Sequence, residues 1–476
     1  MVISDLLILV GFAFLLRFLS QGKNRSLLLL VASTLAIFWL QPATPIRFLD
    51  FWLPVLTLFV SIVSWLLTAE TAQKQDRRNW FSSGIVLILV LIIASTRYVG
   101  LDEILTASRP PNIIQVLFGL GILSIFTILL KRFSRPTSAW LVGGMIFLLI
   151  LFLILKVPQF TLWTSIGLRI LVEQSTTSAS ALDIRWLGFS YVAFRLIHTL
   201  RDRQSGKLAD VSLEDYLNYI IFFPSFSAGP IDRLPRFVKD LQKPVVFFSP
   251  ELGDAFYRLT IGIFKKFALA DTLSLVALNS QNAAQLHSTG WSWILVYAYA
   301  FQIYFDFVGY TDIAIGLGQL LGITLPENFN RPYLKSNLTQ FWNNWHMTLT
   351  MWFRAYFFNP FTRSLRSRYR SLSVSWIVLI TQISTMLLIG LWHGVTWNFV
   401  LWGVWHGLGM FVQNRFSDWM KPRQVAISER PRLQQILNVF NTLLTFHFVA
   451  LGWIWFALPD PGLSMNVFSR LFGLAG

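Results

Sequence analysis

Apolar stretches separated by short polar ones fill the first two hundred residues. A membrane-spanning helix needs about 20 largely apolar residues, and such stretches lie near Leu6 to Leu19, Ser26 to Leu40, Phe48 to Thr68, Trp80 to Thr96, Ile113 to Leu130, Ala139 to Leu155 and Ile184 to Leu200. The first has Asp5 rather than a basic cluster on its N-terminal side and no small-residue cleavage pattern behind it, so a retained helix is expected. After Arg201 the apolar stretches shorten and are broken by Pro, Gly, His and carboxylates. Broken backbone at membrane depth persists only where protein buries it or it lines a watery cavity, so the functional part is expected there. Phe222 to Pro230 is too short and too rich in Pro and Gly to span, and is expected to be re-entrant. Tyr257 to Leu275 carries Lys265, Lys266 and Asp271 at helical spacing among apolar residues, which predicts a helix lying in the interface. Trp291 to Leu321 predicts one tilted span plus a second, broken piece, and Trp376 to Leu391, Trp397 to Phe416 and Ile436 to Ala457 complete the pattern. The fold class expected is all-α, a polytopic transmembrane protein of about 10 to 13 membrane segments, some of them re-entrant or broken.

Composition supports this reading. The length of 476 residues would suit about three soluble domains, but 54% of the residues are hydrophobic and only 13% charged, against roughly a quarter charged in a soluble protein. The 43 Phe and 20 Trp suit a lipid-facing surface with indole rings at the headgroup level. The net charge of +16 is collected in alternate loops: Lys23 and Arg25; Lys74, Arg77 and Arg78; Lys131, Arg132 and Arg135; Arg201, Arg203 and Lys207. The loops between them spread fewer basic residues over longer stretches diluted by carboxylates, so the positive-inside rule puts the first set in the cytoplasm and the N-terminus outside. That distribution argues for a membrane and against nucleic acid as a partner. With no cysteine, disulfides, thiolate metal sites and a covalent Cys nucleophile are excluded. No Gly-rich phosphate loop, zinc-type spacing or Gly-Xaa-Ser-Xaa-Gly elbow is present, and no metal is expected.

Ionisable groups in spans are costly and therefore functional candidates. Four of the six histidines, His346, His393, His406 and His447, fall after residue 345. His393 stands in Gly390-Leu391-Trp392-His393-Gly394, where the glycines predict a helix that ends or breaks at the imidazole. His346 stands in Phe341-Trp342-Asn343-Asn344-Trp345-His346, between aromatic walls and polar amides. An imidazole titrating near ~6.5 exchanges a proton at neutral pH, as acyl transfer to a hydroxyl requires. The plainer reading is a structural histidine bonded to a backbone carbonyl or neighbouring helix; it is favoured for His406 and His447 and stays open for the other two on their context alone. Asp306 and Asp312, six positions apart, fall on different helix faces, so a separate hydrogen bond or salt bridge for each is expected.

Taken together the broken segments resemble the membrane-bound O-acyltransferase family, in its bacterial branch of D-alanyl transfer proteins and alginate O-acetylases. The resemblance is carried in order by Ala228-Gly229-Pro230-Ile231-Asp232-Arg233, by Gly262-Ile263-Phe264-Lys265-Lys266-Phe267 with Ala270-Asp271, by Phe305 through Gly316, and by Pro326-Glu327-Asn328-Phe329-Asn330-Arg331-Pro332. It continues through Trp345-His346-Met347-Thr348-Leu349 with Trp352-Phe353-Arg354 to Leu391-Trp392-His393-Gly394 and Trp397-Asn398. It covers roughly residues 185 to 456 and divides the chain into N-terminal helices without an assigned role, 1–155, and a catalytic core, 156–476.

The resemblance implies helices around a tunnel through a bacterial inner membrane. An acyl thioester on an acyl-carrier protein or coenzyme A would enter from the cytoplasm, with no tightly bound cofactor. A hydroxyl of a cell-envelope polysaccharide or teichoic-acid-like polymer would enter from outside, and an extracytoplasmic acyltransferase partner is compatible with this. His393 and His346 match the family's two histidines: His393 as general base, His346 to orient the reactants or stabilise developing charge. Trp345, Trp392, Asn343 and Asn398 are then expected along the tunnel. Relatives commonly carry a basic residue at the place of Asn344 and an aspartate at the place of Ala355, which would leave Arg354 without its usual neighbour. Arg363, Arg366, Arg368 and Arg370 form a basic patch suited to docking an acidic acyl carrier, with a role at the lipid surface as the equal alternative. A transporter or flippase, or an inactive scaffold in the envelope, are the rival functions.

Overall fold

The computed structural model describes residues 3–22, 24–133 and 137–474. Lys23 and Arg135, counted in two of the basic loops, lie outside the described residues. Every regular element among the described residues is helical. Among the described residues six helices are long and apolar enough to cross a membrane: Leu49–Thr68, Arg77–Val99, Ile113–Arg132, Ser138–Lys156, Val374–His393 and Pro431–Ala457. Ile3–Leu19, Arg25–Leu40 and Phe189–Gln204 are shorter helices at expected places. The protein is a multi-pass membrane protein.

Three expectations are corrected. The stretch from Ile184 becomes helical only at Phe189, because Gly188 adopts φ 70°, left-handed backbone that glycine supplies without strain. The stretch between the spans expected to end at Leu155 and to start at Ile184 holds a helix, Pro158–Leu171, which starts on a proline in its first turn, carries Arg169 in its last and is too short to span. Arg169 is buried there against Asp183, with Nη2 2.9 Å from Oδ2. The predicted break after Trp291 is absent, since Thr289–Leu320 is one helix of 32 residues. Its Gly309 serves close approach instead: a Cβ there would stand 2.7 Å from the Lys266 backbone nitrogen and 2.8 Å from the Gly262 oxygen.

The chain forms two compact units. The first holds residues 1–259 and 313–326. In it two buried arginines of the N-terminal helices cap other helices' carboxyl ends, where carbonyls lack intrahelical partners and the dipole favours a cation. Arg25 Nη1 donates to the carbonyls of Asp240, Leu241 and Lys243 at 2.9, 2.7 and 2.7 Å, and its Nη2 to Leu321 at 2.6 Å. Arg17 Nη1 donates to Leu320 at 3.0 Å, while its Nε and Nη2 bond the carbonyls of Phe247 and Val246. Tyr216 is fully buried, its hydroxyl shared with Ser64 and Thr199.

The second unit holds residues 260–312 and 327–476. Within it the chain passes from the helix Pro250–Ile263 into a π-helical turn, Phe264–Ala270. This turn aims consecutive lysines at two acids of the long helix, Lys265 Nζ at Asp312 (2.7 Å) and Lys266 Nζ at Asp306 (2.5 Å). Each aspartate thus has its own salt bridge, as its spacing predicted.

Candidate active site

Both candidate histidines lie in the second unit, each held by a different device. His393 is the last residue of Val374–His393, and Gly394 turns the chain out in extended backbone before Trp397 opens the next helix. The two helices pack antiparallel through glycines, as small residues permit in membranes. A Cβ on Gly390 would stand 2.3 Å from the Phe399 oxygen, and one on Gly403 or Gly407 would meet Leu387 Cα or Ile383 Cα at 2.8 and 2.9 Å. The half-buried His393 imidazole is walled by Phe456, Phe399 and Trp402, with ring centres 4.8, 5.9 and 6.0 Å away.

His346 is buried and adopts φ 43°, ψ 54°, left-handed backbone at the head of the helix Met347–Phe353. Such a conformation in a residue other than glycine costs about 1–3 kcal/mol and persists only where surrounding structure fixes it. Asn328, fully buried in the proline-bounded segment 326–332, fixes it here. Its backbone oxygen accepts from Met347 N–H at 2.9 Å, and its Oδ1 accepts from the Thr348 N–H at 3.2 Å and the Thr348 hydroxyl at 2.8 Å. Asn330 N–H adds a bond to the Asn344 oxygen at 3.0 Å. The Phe307 ring stands 4.7 Å from the imidazole. Burial first, and the nearby His393 second, hold His346 well below the usual histidine range, so its imidazole is neutral. One indole neighbours both histidines, since Trp392 is 6.2 Å from His346 and 4.5 Å from His393.

A cavity of about 180 Å³ lies in the same unit, lined by residues of the helices that carry Asn343, Arg354 and Gln382 rather than by the histidines themselves. Gln382, Met386 and Ile389 line it at helical spacing, and the same stripe reaches His393 one turn later. Asn343, Arg354 and Asn414 add polar groups to a mostly apolar lining, with Arg354 the single charged residue among those lining it. Arg354 opens a π-helical turn, Arg354–Phe358, and donates to Asn343 Oδ1. The arginine therefore meets an amide of this chain. Asn344 bonds the Gln340 carbonyl.

The other expected residues take separate places. Trp345 sits in a packed aromatic cluster, 5.1 Å from both Phe329 and Trp453. Asn398 gives both amide hydrogens to the Leu458 carbonyl (2.7 Å) and Ser464 Oγ (3.0 Å), fastening the start of its helix to the chain's end. Arg363, Arg366, Arg368 and Arg370 are all exposed, three of them on the helix Asn359–Arg368 that follows the π turn. His447 bonds the Leu443 carbonyl, and His406 is buried between Trp342 and Trp402 with no hydrogen-bond partner for either ring nitrogen among the described residues. Sequence reasoning did not single out Asn328, Gln382 or Arg354's link to Asn343; the signal for Gln382 is an amide inside an apolar span, eleven positions before a histidine.

The membrane-bound O-acyltransferase family's sequence model matches residues 139–452. A teichoic acid D-alanyltransferase of Bacillus subtilis (strain 168) is 32% identical over 285 residues, covering 58% of this chain and 69% of the relative. A probable alginate O-acetylase of Pseudomonas aeruginosa is 31% identical over 287 residues, 60% of this chain and 51% of that one. A peptidoglycan O-acetyltransferase of Helicobacter pylori is 32% identical over 266 residues, 55% and 47%. The chain thus spans about half the length of the last two. The match covers well over half of the chain and contains both histidines and the Asn328 brace, and the chain belongs to the membrane-bound O-acyltransferase family.

Proposed function

We propose that the protein transfers an acyl group, acetyl or D-alanyl in type, from a thioester donor to a hydroxyl of an extracytoplasmic envelope polymer in a bacterial inner membrane. The relatives' acceptors, teichoic acid, alginate and peptidoglycan, define the class of polymer. The observation that carries the reading is the pair of histidines flanking one indole, with a cavity along the helix that ends at His393. The half-buried His393 takes the proton as the acceptor oxygen attacks the thioester carbonyl, and returns it to the departing sulfur, so that an ester and a thiol leave. The neutral His346 donates a hydrogen bond to the developing oxyanion or orients the acceptor. A thioester is already activated, so alignment and a base suffice. The donor arm, from an acyl-carrier protein or coenzyme A, enters along the cavity past Arg354, whose guanidinium suits a phosphate at that arm's root.

Purified protein given an acetyl or alanyl thioester and an acceptor polymer tests this. His393→Ala is expected to abolish transfer and His346→Ala to slow it by at least ~100-fold; wild-type rates in both would overturn the assignment. Replacing Arg363, Arg366, Arg368 and Arg370 with Gln is expected to weaken binding of an acyl-carrier donor and flatten its salt dependence. Unchanged binding would return the patch to the lipid headgroups.

A further inference from the structure

We infer that the first unit carries a docking site for one anionic phospholipid, independent of acyl transfer. A groove of about 240 Å³ lies between Leu49–Thr68, Arg77–Val99 and Ile113–Phe133, walled chiefly by Leu58, Ile62, Leu87, Val90, Leu123 and Ile128. It follows the middle helix from Trp80 to Val90, which at 1.5 Å per residue is about 15 Å. That is half of the ~30 Å hydrocarbon core, the depth of one leaflet's acyl chain. The groove opens on the lipid side, since Ile128 on its lip is 60% exposed. Its floor is open at Gly84, where an added Cβ meets nothing within 4 Å.

The occupant's headgroup is fixed by charge. Lys131 Nζ stands 4.1 Å over the Trp80 ring where the groove ends, and Arg77, Arg78 and Arg132 are exposed on the ends of the same two helices. The neighbouring carboxylates are engaged: Asp76 caps the Arg78 N–H, Glu70 pairs with Arg203, and Glu214 accepts from the Ser82 hydroxyl. One turn in from Trp80, Ser83 Oγ is buried with no hydrogen-bond partner among the described residues, at the depth of a glycerol ester carbonyl. Basic pockets between spanning helices hold acidic headgroups, each basic residue giving about fivefold in binding. A phosphate over Lys131 with a chain laid along Gly84 satisfies the cation, the hydroxyl and the apolar walls together.

The test uses the full chain in mild detergent and native mass spectrometry with phosphatidylglycerol and phosphatidylcholine of identical chains. Wild type is expected to retain phosphatidylglycerol in preference, by at least ~5-fold. Lys131→Gln is expected to lower that preference ~5-fold and leave phosphatidylcholine binding unchanged. Gly84→Leu, whose side chain fills the groove, is expected to lose both lipids by more than ~10-fold. Equal retention of the two lipids by wild type would overturn the site, as would undiminished binding in Gly84→Leu protein that elutes and melts like wild type. Should Gly84→Leu aggregate, Lys131→Gln decides alone.

Discussion

Removing the Asn328 side chain tests whether His346 is held or merely present. Asn328→Ala deletes the bonds from the Thr348 N–H and hydroxyl to Oδ1 and leaves the backbone bond from Met347 in place. Two such bonds contribute about 2 kcal/mol net, close to the ~1–3 kcal/mol that left-handed backbone costs at His346. The brace and the strain are therefore nearly matched, and losing the brace lets the turn relax. A change of ~2 kcal/mol in that balance is about 30-fold in the population of the working conformer. In the thioester transfer assay kcat is expected to fall ~10- to 30-fold with KM nearly unchanged, while the melting point in detergent drops by only a few degrees. Asn328→Asp keeps both acceptor bonds and is expected to recover most of the rate. Wild-type kcat in Asn328→Ala, alongside an inactive His346→Ala, would refute the bracing argument and leave the role of His346 standing.

Gly390→Ala drives a Cβ to within 2.3 Å of the Phe399 oxygen and is expected to cost at least ~1–3 kcal/mol and to abolish transfer, whereas Gly143→Ala, with open space around it, is expected to be silent in both measurements. Asp183 accepts from Ser165 Oγ, Arg169 and the Ser180 N–H; burial raises its carboxyl, but these bonds outweigh burial and hold it below the ordinary value. A depressed carboxylate stabilises the fold above its unfolded pKa of about 3.9, and this contribution disappears as pH falls through the folded value. Asp183→Asn is therefore expected to destabilise by up to ~3–5 kcal/mol at pH 7, with the gap in melting temperature closing below about pH 4. Arg25→Met removes four charge-assisted bonds to carbonyls and is expected to cost at least ~3 kcal/mol, read as a melting shift by fluorescence-detected size exclusion.

Much of the architecture was legible because a lipid solvent imposes a simple rule on backbone polar groups. Leu49–Thr68, Ser138–Lys156 and Val374–His393 fall within a few residues of their apolar runs. The rule fails where a helix buries a polar face against protein, as Thr161, Ser165 and Arg169 do. Pro158–Leu171 hid in a charged stretch because Arg169 finds its partner in Asp183, fourteen residues on. Within Trp291 to Leu321, where a broken piece was expected, Gly309 instead accommodates the Lys266 backbone. At the site, the end of a helix at His393 was readable from its glycines. The left-handed backbone of His346 was not, since it depends on Asn328, eighteen positions earlier, through bonds that leave no local periodicity.

The two N-terminal arginines set an order of assembly. Arg17 bonds a carbonyl 303 residues further along the chain, and Arg25 bonds one 296 residues on. At roughly 5–20 residues per second, about 15–60 s separate synthesis of these arginines from synthesis of their acceptors. During that interval the first hairpin is in place with its guanidiniums still unspent, held by headgroups, water or the insertion machinery. Release of a finished first unit therefore awaits translation past Leu321. Nascent chains stopped shortly before that residue are expected to remain protease-sensitive around Arg17 and Arg25, and those stopped well beyond it to be protected.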